Sequence, residues 1–553
     1  LFTYLFHIMS AIMINTNVPL QAGSARSCIG RREKMENIFE SVNNVFKFVT
    51  PVSDFLWGFP TNISRYAAIP VIGNFSLAVL ILIGSGLFFT IRLGFIQVTH
   101  FRKGIRLLAK KKSDETGISS LGAFLLSSAM RIGPGNILGV TGAISVGGPG
   151  ALFWMWLSAF FGMATAYTEA VLAQLFKEKK GDEFVGGLPF YGKKLLGDKV
   201  WAGIALSVMY IIYAMCCIPA QGYNVLSAIG QMGSIVSGKV IPTDSAFYYA
   251  TAALLVIFTA YLAFGGIRKV TKATDGMVPV MAVMYMIVVL ILVFMNIRSF
   301  PYFIVSVFGG AFRPQAVFGG VFGTVLVQGV KRGLMSNEAG QGTITMAAAV
   351  ANTDHPCEQG CVQAIGVFLD TLVICTLTGF IVVMAHLWTG SSSDAWFAMD
   401  KLPKFLASAK ALTPGTAFNS VVAFLLTFAF CLFAFTCLIG MISFSEIAAN
   451  RISRSRHFIN SIRILGVFIT AFGITCSLAG LDLGNLWSIS DLGNILIVFA
   501  NIPLLYIGFR YVDRATRHFR RHDGTPFTSE VIGTKCEYWD ERASKKKDHS
   551  TDL

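Results

Sequence analysis

The chain has 553 residues, 54% of them hydrophobic and only 14% charged, with a mean hydropathy of +0.62. That balance excludes an ordinary soluble domain and defines an all-α, polytopic membrane protein. The net charge of +15 points to no nucleic-acid partner, because the basic residues sit in short loops between apolar runs, where they set topology.

In chain order, the sequence opens on Leu1, and a polar, basic patch from Ser24 to Lys34 precedes Met35. Residues 1–34 read as an upstream or unstructured extension. They do not read as a signal peptide, whose positive residues precede its apolar run. Residues 35–73 form an amphipathic N-terminal interfacial segment. The first predicted span is 74–91, and the basic loop Arg102–Lys112 follows. The second span, 117–146, is apolar but interrupted, and a Gly-Gly-Pro-Gly turn at 147–150 leads into a third at 151–176. Further spans are predicted at 201–228, 246–264 and 277–295. An interrupted segment at 316–350 is followed by a span at 362–387. Residues 394–412 are too polar to cross, and spans at 417–448, 462–479 and 487–509 complete about eleven, each near the ~20 residues a bilayer requires. Residues 512–553 read as a basic, solvated cytoplasmic tail.

Lys and Arg cluster after the first, third, fifth, ninth and eleventh spans, which puts those loops in the cytoplasm and the N-terminus outside. Without the first span, ten remain, and the two interrupted segments are the first and sixth of them. Five spans is an odd number, so the halves (117–297 and 316–511) have opposite topology. That is a 5+5 inverted repeat with two discontinuous helices and an extra N-terminal helix.

The interruptions carry the chemistry. In Met130-Arg-Ile-Gly-Pro-Gly-Asn136, proline removes a donor and glycine weakens the helix, and exposed backbone at membrane depth persists only where it lines a cavity or binds something. The half-helix starting near Asn136 presents N–H groups and a positive dipole end, suited to a carboxylate. The carbonyls of Ala129 to Gly133 suit a small cation. Ser336-Asn-Glu-Ala-Gly-Gln-Gly342 offers the same mixture. Glu338 is expected to pair with Lys331 or Arg332, or to couple transport. Glu169, Asp370 and Glu446 are further intramembrane acids, Asp370 being the best placed for a proton relay. Thr436 either ligates a cation or bonds back to its own helix. Six of the ten cysteines lie within apolar spans and read as core residues, and Cys357-x-x-x-Cys361 has no companion ligands for a metal. No Walker A, Gly-x-Ser-x-Gly or His-Glu-x-x-His motif supports an enzyme.

Ile132-Gly-Pro-Gly-Asn-Ile137, Gly148-Pro-Gly-Ala-Leu-Phe-Trp-Met-Trp156, Arg332-Gly-Leu-Met-Ser-Asn-Glu-Ala-Gly340 and His355-Pro-x-x-x-Gly360 resemble the alanine/glycine:cation symporter family over roughly residues 35–511. The resemblance implies a leucine-transporter-type fold and uptake of alanine or glycine coupled to Na+ or H+. It implies a substrate site at Gly133, Gly135, Asn136, Ser336, Asn337, Gly340, Gly342 and Met441, and a Na+ site at Ala129, Ile132, Thr436 and Cys437. Four positions depart from the family's pattern: Met441 replaces a usual Trp, Cys437 a usual Thr, Gln341 a usual Met, and Pro134 a small or β-branched residue. The first leaves room for a larger substrate, and the second removes a hard oxygen ligand from the Na+ set. The expectation is a monomeric symporter in a bacterial inner membrane, importing a small neutral amino acid with Na+. The alternatives are an uncoupled channel or sensor on the same fold, and proton-coupled transport of a larger amino acid.

Overall fold

The computed structural model describes residues 44, 47–69, 72–110, 116–312, 322–389, 393–480, 483–521 and 525–551. The extension 1–34 lies outside them. The elements that position the site are α1 (Val49–Gly58), α2 (Leu77–Arg92), α3 (Ser120–Arg131), α4 (Val140–Gly147), α5 (Gly150–Leu175), α6 (Val200–Ser237), α7 (Ala246–Phe264), α8 (Gly266–Met295) and α9 (Phe300–Phe312). They continue with α10 (Phe322–Asn337), α11 (Thr345–Val350), α12 (Pro356–Val367), α13 (Thr376–Met384), α14 (Lys401–Ala411), α15 (Thr416–Ala449), α16 (Arg456–Leu478), α17 (Leu483–Arg521), α18 (Ser529–Ile532) and α19 (Glu537–Thr551). Strands β1 (Glu178–Lys180) and β2 (Glu183–Val185) form an antiparallel hairpin pairing Lys180 with Glu183.

Among the described residues, eight helices are long and apolar enough to cross a membrane, α12 and α13 counting as one. With α2 and the discontinuous pairs α3/α4 and α10/α11, they reproduce the eleven segments expected from hydropathy. Local chemistry fixes the starts. Ser76 and Ser119 accept hydrogen bonds from the N–H groups of Val79 and Gly122, capping α2 and α3. His355 caps α12 through Nδ1, which accepts from the Cys357 N–H, and Pro356 fills the first turn.

Both interruptions are real breaks. Helix α3 stops at Arg131, Ile132 leaves helical geometry at ψ 74°, and a wide π turn (Gly135–Gly139) leads into α4. Helix α10 stops at Asn337, after which Glu338, Gly340 and Gly342 take φ of 59°, 99° and 74°. Glycine adopts those angles freely, whereas Glu338 must be held there by its surroundings. A third irregularity is a π segment (Phe368–Cys375) between α12 and α13, which faces both breaks.

The helices pack in two groups. Helix α5 lies along α10 and α12, forming with α3 and α4 the group that contains both breaks. Helix α6 lies along α15 and α16, with α8 and α17 bridging the groups. Gly162 of α5 packs closely on Ala339 at the second break, where a Cβ on the glycine would lie 3.1 Å from that methyl.

Two expectations need correction, and two segments gain helices that the sequence reading did not assign. Phe300–Phe312 forms helix α9, although 13 residues are too few to cross unaided. Arg268–Lys272 lie within the first turns of α8 instead of a loop. The polar stretch 394–412 folds as two short helices, the second being α14, which lies over α4 and the π turn before it. The tail is docked, not solvated: Phe527, Ile532, Cys536 and Trp539 are all buried.

Candidate substrate and ion site

A small cavity of about 30 Å³ lies against the first break, lined there by Gly133, Pro134, Gly135, Met130 and Arg131. Helix α6 contributes Tyr213, Cys217 and Gln221, which recur every four residues and so share one helix face. Helix α17 contributes Trp487, Ser490 and Asn494 at the same kind of spacing, and Met335, Glu338, Cys437 and Met441 complete the wall. The volume suits about two waters or a few non-hydrogen atoms. Of the residues assigned from the resemblance, Gly133, Gly135, Cys437 and Met441 therefore meet at one place. The stripes from α6 and α17 were not singled out, although polar residues at helical spacing in otherwise apolar spans are a visible signal.

Asn136 and Ser336 are buried, but their hydrogen bonds run to Asp370 instead of into the cavity. The Asn136 amide donates to Asp370 Oδ1 at 2.5 Å, and the hydroxyls of Ser336 and Thr371 donate to Oδ2 at 2.7 Å each. The other face of Asn136 is taken as well, its Oδ1 accepting the Gly133 N–H at 2.9 Å. Asn337 donates to Thr371 Oγ1 and accepts the Ala339 N–H. Asp370, from the π segment, is thus a staple between the two broken helices. A wide turn suits this role, since it pushes one residue out of helical register toward both breaks.

Gly340 and Gly342 do not offer open backbone. Glu169 on α5 reaches across, and its Oε1 accepts from the N–H groups of Gly340 (3.1 Å) and Gly342 (2.8 Å) and from the Asn501 amide (2.6 Å). The protein's own carboxylate therefore satisfies the backbone N–H groups exposed at the second break. Arg131 sits between the breaks, 1% exposed, with Nε donating to the Asn337 carbonyl at 3.1 Å. Its charge attracts Glu338, Asp370 and Glu169.

The partner expected for Glu338 is elsewhere. Lys331 and Arg332 both bind Asp491 of α17, at 2.8 Å and through a two-pronged contact of 3.0 Å each. Trp57 of α1 donates to the Asp491 carbonyl. Glu338 instead accepts from Thr343 Oγ1 at 2.8 Å, within its own loop. The Thr436 hydroxyl donates to Leu432 O at 2.9 Å and faces Met281 Sδ on α8. Cys437, the next residue, is the one against Gly133. Ala129 and Ile132 are buried at the end of α3. Glu446 is paired with Arg463 at 2.6 Å.

Two discontinuous helices meeting at a buried polar cavity, inside a bundle of apolar crossing helices, define a membrane transporter of the broken-helix class. Residues 63–530 match the model of the sodium:alanine symporter family. The chain is 34% identical to the amino-acid carrier protein AlsT of Bacillus subtilis over 85% of its length and 90% of that protein. It is 35% identical to the sodium/alanine symporter AgcS of Methanococcus maripaludis, covering 76% and 89%. The likeness to the probable sodium/glutamine symporter GlnT of B. subtilis is 33%, covering 80% and 88%. Among solved structures, MhsT in complex with L-phenylalanine superimposes with a TM-score of 0.52 at 13% identity, over 78% of this chain and 95% of that one, which establishes a shared fold. The chain belongs to the sodium:alanine symporter family. It is an integral membrane protein that carries out amino-acid symport, and it is not an enzyme.

Proposed function

We propose that this protein imports a small neutral amino acid, alanine or glycine, in symport with Na+, by alternating access around the cavity at the first break. The observation that carries the reading is the composition of that cavity. Its floor is backbone at the start of the second half-helix, which suits the substrate carboxylate, and its wall is Met130, Met335, Met441 and Trp487, which leave little room for a side chain. With Glu169 already on the second break, the first break is the place left for a substrate carboxylate. Gly133 and Gly135 hold it in this reading, while Asn136, Ser336 and Asn337 set the relative position of the two breaks through Asp370 and Thr371. The carbonyls at Ala129 and Ile132 are offered to Na+. The proposed orientation has the N-terminus outside and the C-terminus in the cytoplasm of a bacterial cell, with a monomer as the working unit.

The test is uptake of labelled alanine and glycine by reconstituted protein. An inward Na+ gradient should accelerate it and a K+ gradient should not. Equal rates with and without the Na+ gradient would remove the sodium assignment. Proton coupling is the second reading, and Asp370 is the observation behind it. Three acids, Asp370, Glu338 and Glu169, share the one buried charge of Arg131, and a proton neutralises a remaining carboxylate as readily as a metal ion does. A pH gradient that drives uptake without Na+ would favour it.

A further inference from the structure

We propose that the C-terminal segment 525–545 is a strap that holds the end of the second broken helix shut, and that its release is a step in opening the site to that face of the protein. The inference rests on alternating access and is independent of which amino acid or ion is carried.

Helix α11 is six residues long, too short to hold itself by its own hydrogen bonds, and its terminal carbonyls need partners from outside. Those partners come from α5 and the residues just after it. Gln174 Nε2 donates to the carbonyls of Ala348 and Ala351, the latter at 3.1 Å. Lys177 Nζ donates to Ala351 O at 2.7 Å. The tail then closes over both. The Trp539 indole N–H donates to Gln174 O at 2.8 Å, and its ring is 1% exposed. Lys177 is enclosed by the rings of Phe184 (4.1 Å), Tyr538 (4.3 Å) and Trp539 (5.4 Å).

Three residues along the same helix, Arg542 grips the chain that leaves α11. It reaches Asp354 Oδ1 at 2.7 Å and Asn352 Oδ1 at 3.3 Å. The strap is anchored at its other end on α17, where Arg514 donates to Ile532 O at 2.8 Å. Helix α17 touches both helix groups, so the segment ties the end of α5 and the chain leaving α11 to a helix that spans the two. Any displacement of the end of α5 and the chain leaving α11 away from α17 stretches or breaks the contacts of Trp539 and Arg542.

The test is hydrogen exchange by mass spectrometry on the full-length protein, Arg542→Ala, Trp539→Ala and a chain ending at Arg521, together with uptake. Exchange in 345–354 is expected to quicken by about threefold in Arg542→Ala, because Asp354 is partly exposed and such pairs are weak. It should quicken by about tenfold or more in the other two. Exchange within α6 should be unchanged in all three, and Arg542→Lys should restore the native rate. Alanine uptake should rise in the same order. Unchanged exchange in 345–354, in variants whose α6 protection shows them folded, would overturn the strap. Faster exchange without faster uptake would overturn its role in opening. Should the wild type carry no alanine at all, the symport reading fails, and the exchange data alone still decide whether the strap holds α11.

Discussion

Glu169 gives the sharpest quantitative test. Its Oε1 accepts three hydrogen bonds, from Gly340, Gly342 and Asn501, while Oε2 is buried without a hydrogen-bond partner among the described residues. Glu169→Ala removes the acceptor of all three bonds and leaves two backbone donors and an amide N–H buried. At ~1–3 kcal/mol for each orphaned donor, the loss is about 3–9 kcal/mol, enough to prevent the second break from forming. Glu169→Gln is different. Its amide oxygen accepts the same three bonds, and its amide nitrogen replaces an oxygen that makes none. The bonds become neutral and weaken by about 1 kcal/mol each, partly offset because a buried charge is no longer required. A net change within about 2 kcal/mol is expected. The assays are the thermal unfolding midpoint in detergent and the initial rate of alanine uptake. Near-native folding and measurable uptake in Glu169→Gln, beside collapse in Glu169→Ala, is the expected pattern. A Gln variant as damaged as the Ala variant would refute the capping argument and show that the charge itself is required.

Three further outcomes follow from the geometry. Thr436→Val is expected to keep its Na+ half-saturation within about twofold, since the hydroxyl faces Met281 on α8 and does not line the cavity; a tenfold rise, ~1.4 kcal/mol, would make Thr436 an ion ligand. Gly366→Ala should destabilise the protein by about 1–3 kcal/mol, because a Cβ there would lie 1.9 Å from Arg131 Nη1, and calorimetric or fluorescence melting reads the loss. The third outcome concerns His355 at the start of α12, which is pushed down from 6.5 to about 3, first by burial and then by His518, Lys103 and Lys110; the rings of Phe519 and Phe527 also pack on it. Unfolded chains then bind a proton that the folded protein refuses, so stability should fall as pH drops from 6.5 toward 3, by at most about 1.4 kcal/mol per pH unit. His355→Gln should flatten melting curves in that window.

The first break was legible because Gly-Pro-Gly cannot stay helical, and the crossing segments were legible because hydropathy reports them directly. Partner choice was not. Lys331 and Arg332 lie within two turns of Glu338, yet Asp491, 159 residues from Arg332, takes both. Sequence distance carries no information about such a contact. The cap from Glu169 was hidden for the same reason. The docked tail was hidden by composition: its charged surface masks buried residues such as Phe527, Ile532 and Cys536, and Trp539 was the visible hint. Helix α9 escaped because a rule tuned to full crossings passes over 13 apolar residues.

A small detail at the start of the first broken helix has a larger consequence. Ile118 donates to Val350 O at 3.1 Å, and Asn352 donates to Ile118 O at 2.8 Å, a parallel bridge between the chain entering α3 and the chain leaving α11. Two half-helices separated by more than two hundred residues are thereby joined at their tips like paired doors sharing one handle. Neither tip can slide along the other without giving up both backbone bonds, so the entry to one broken helix and the exit from the other are held in register by main chain alone.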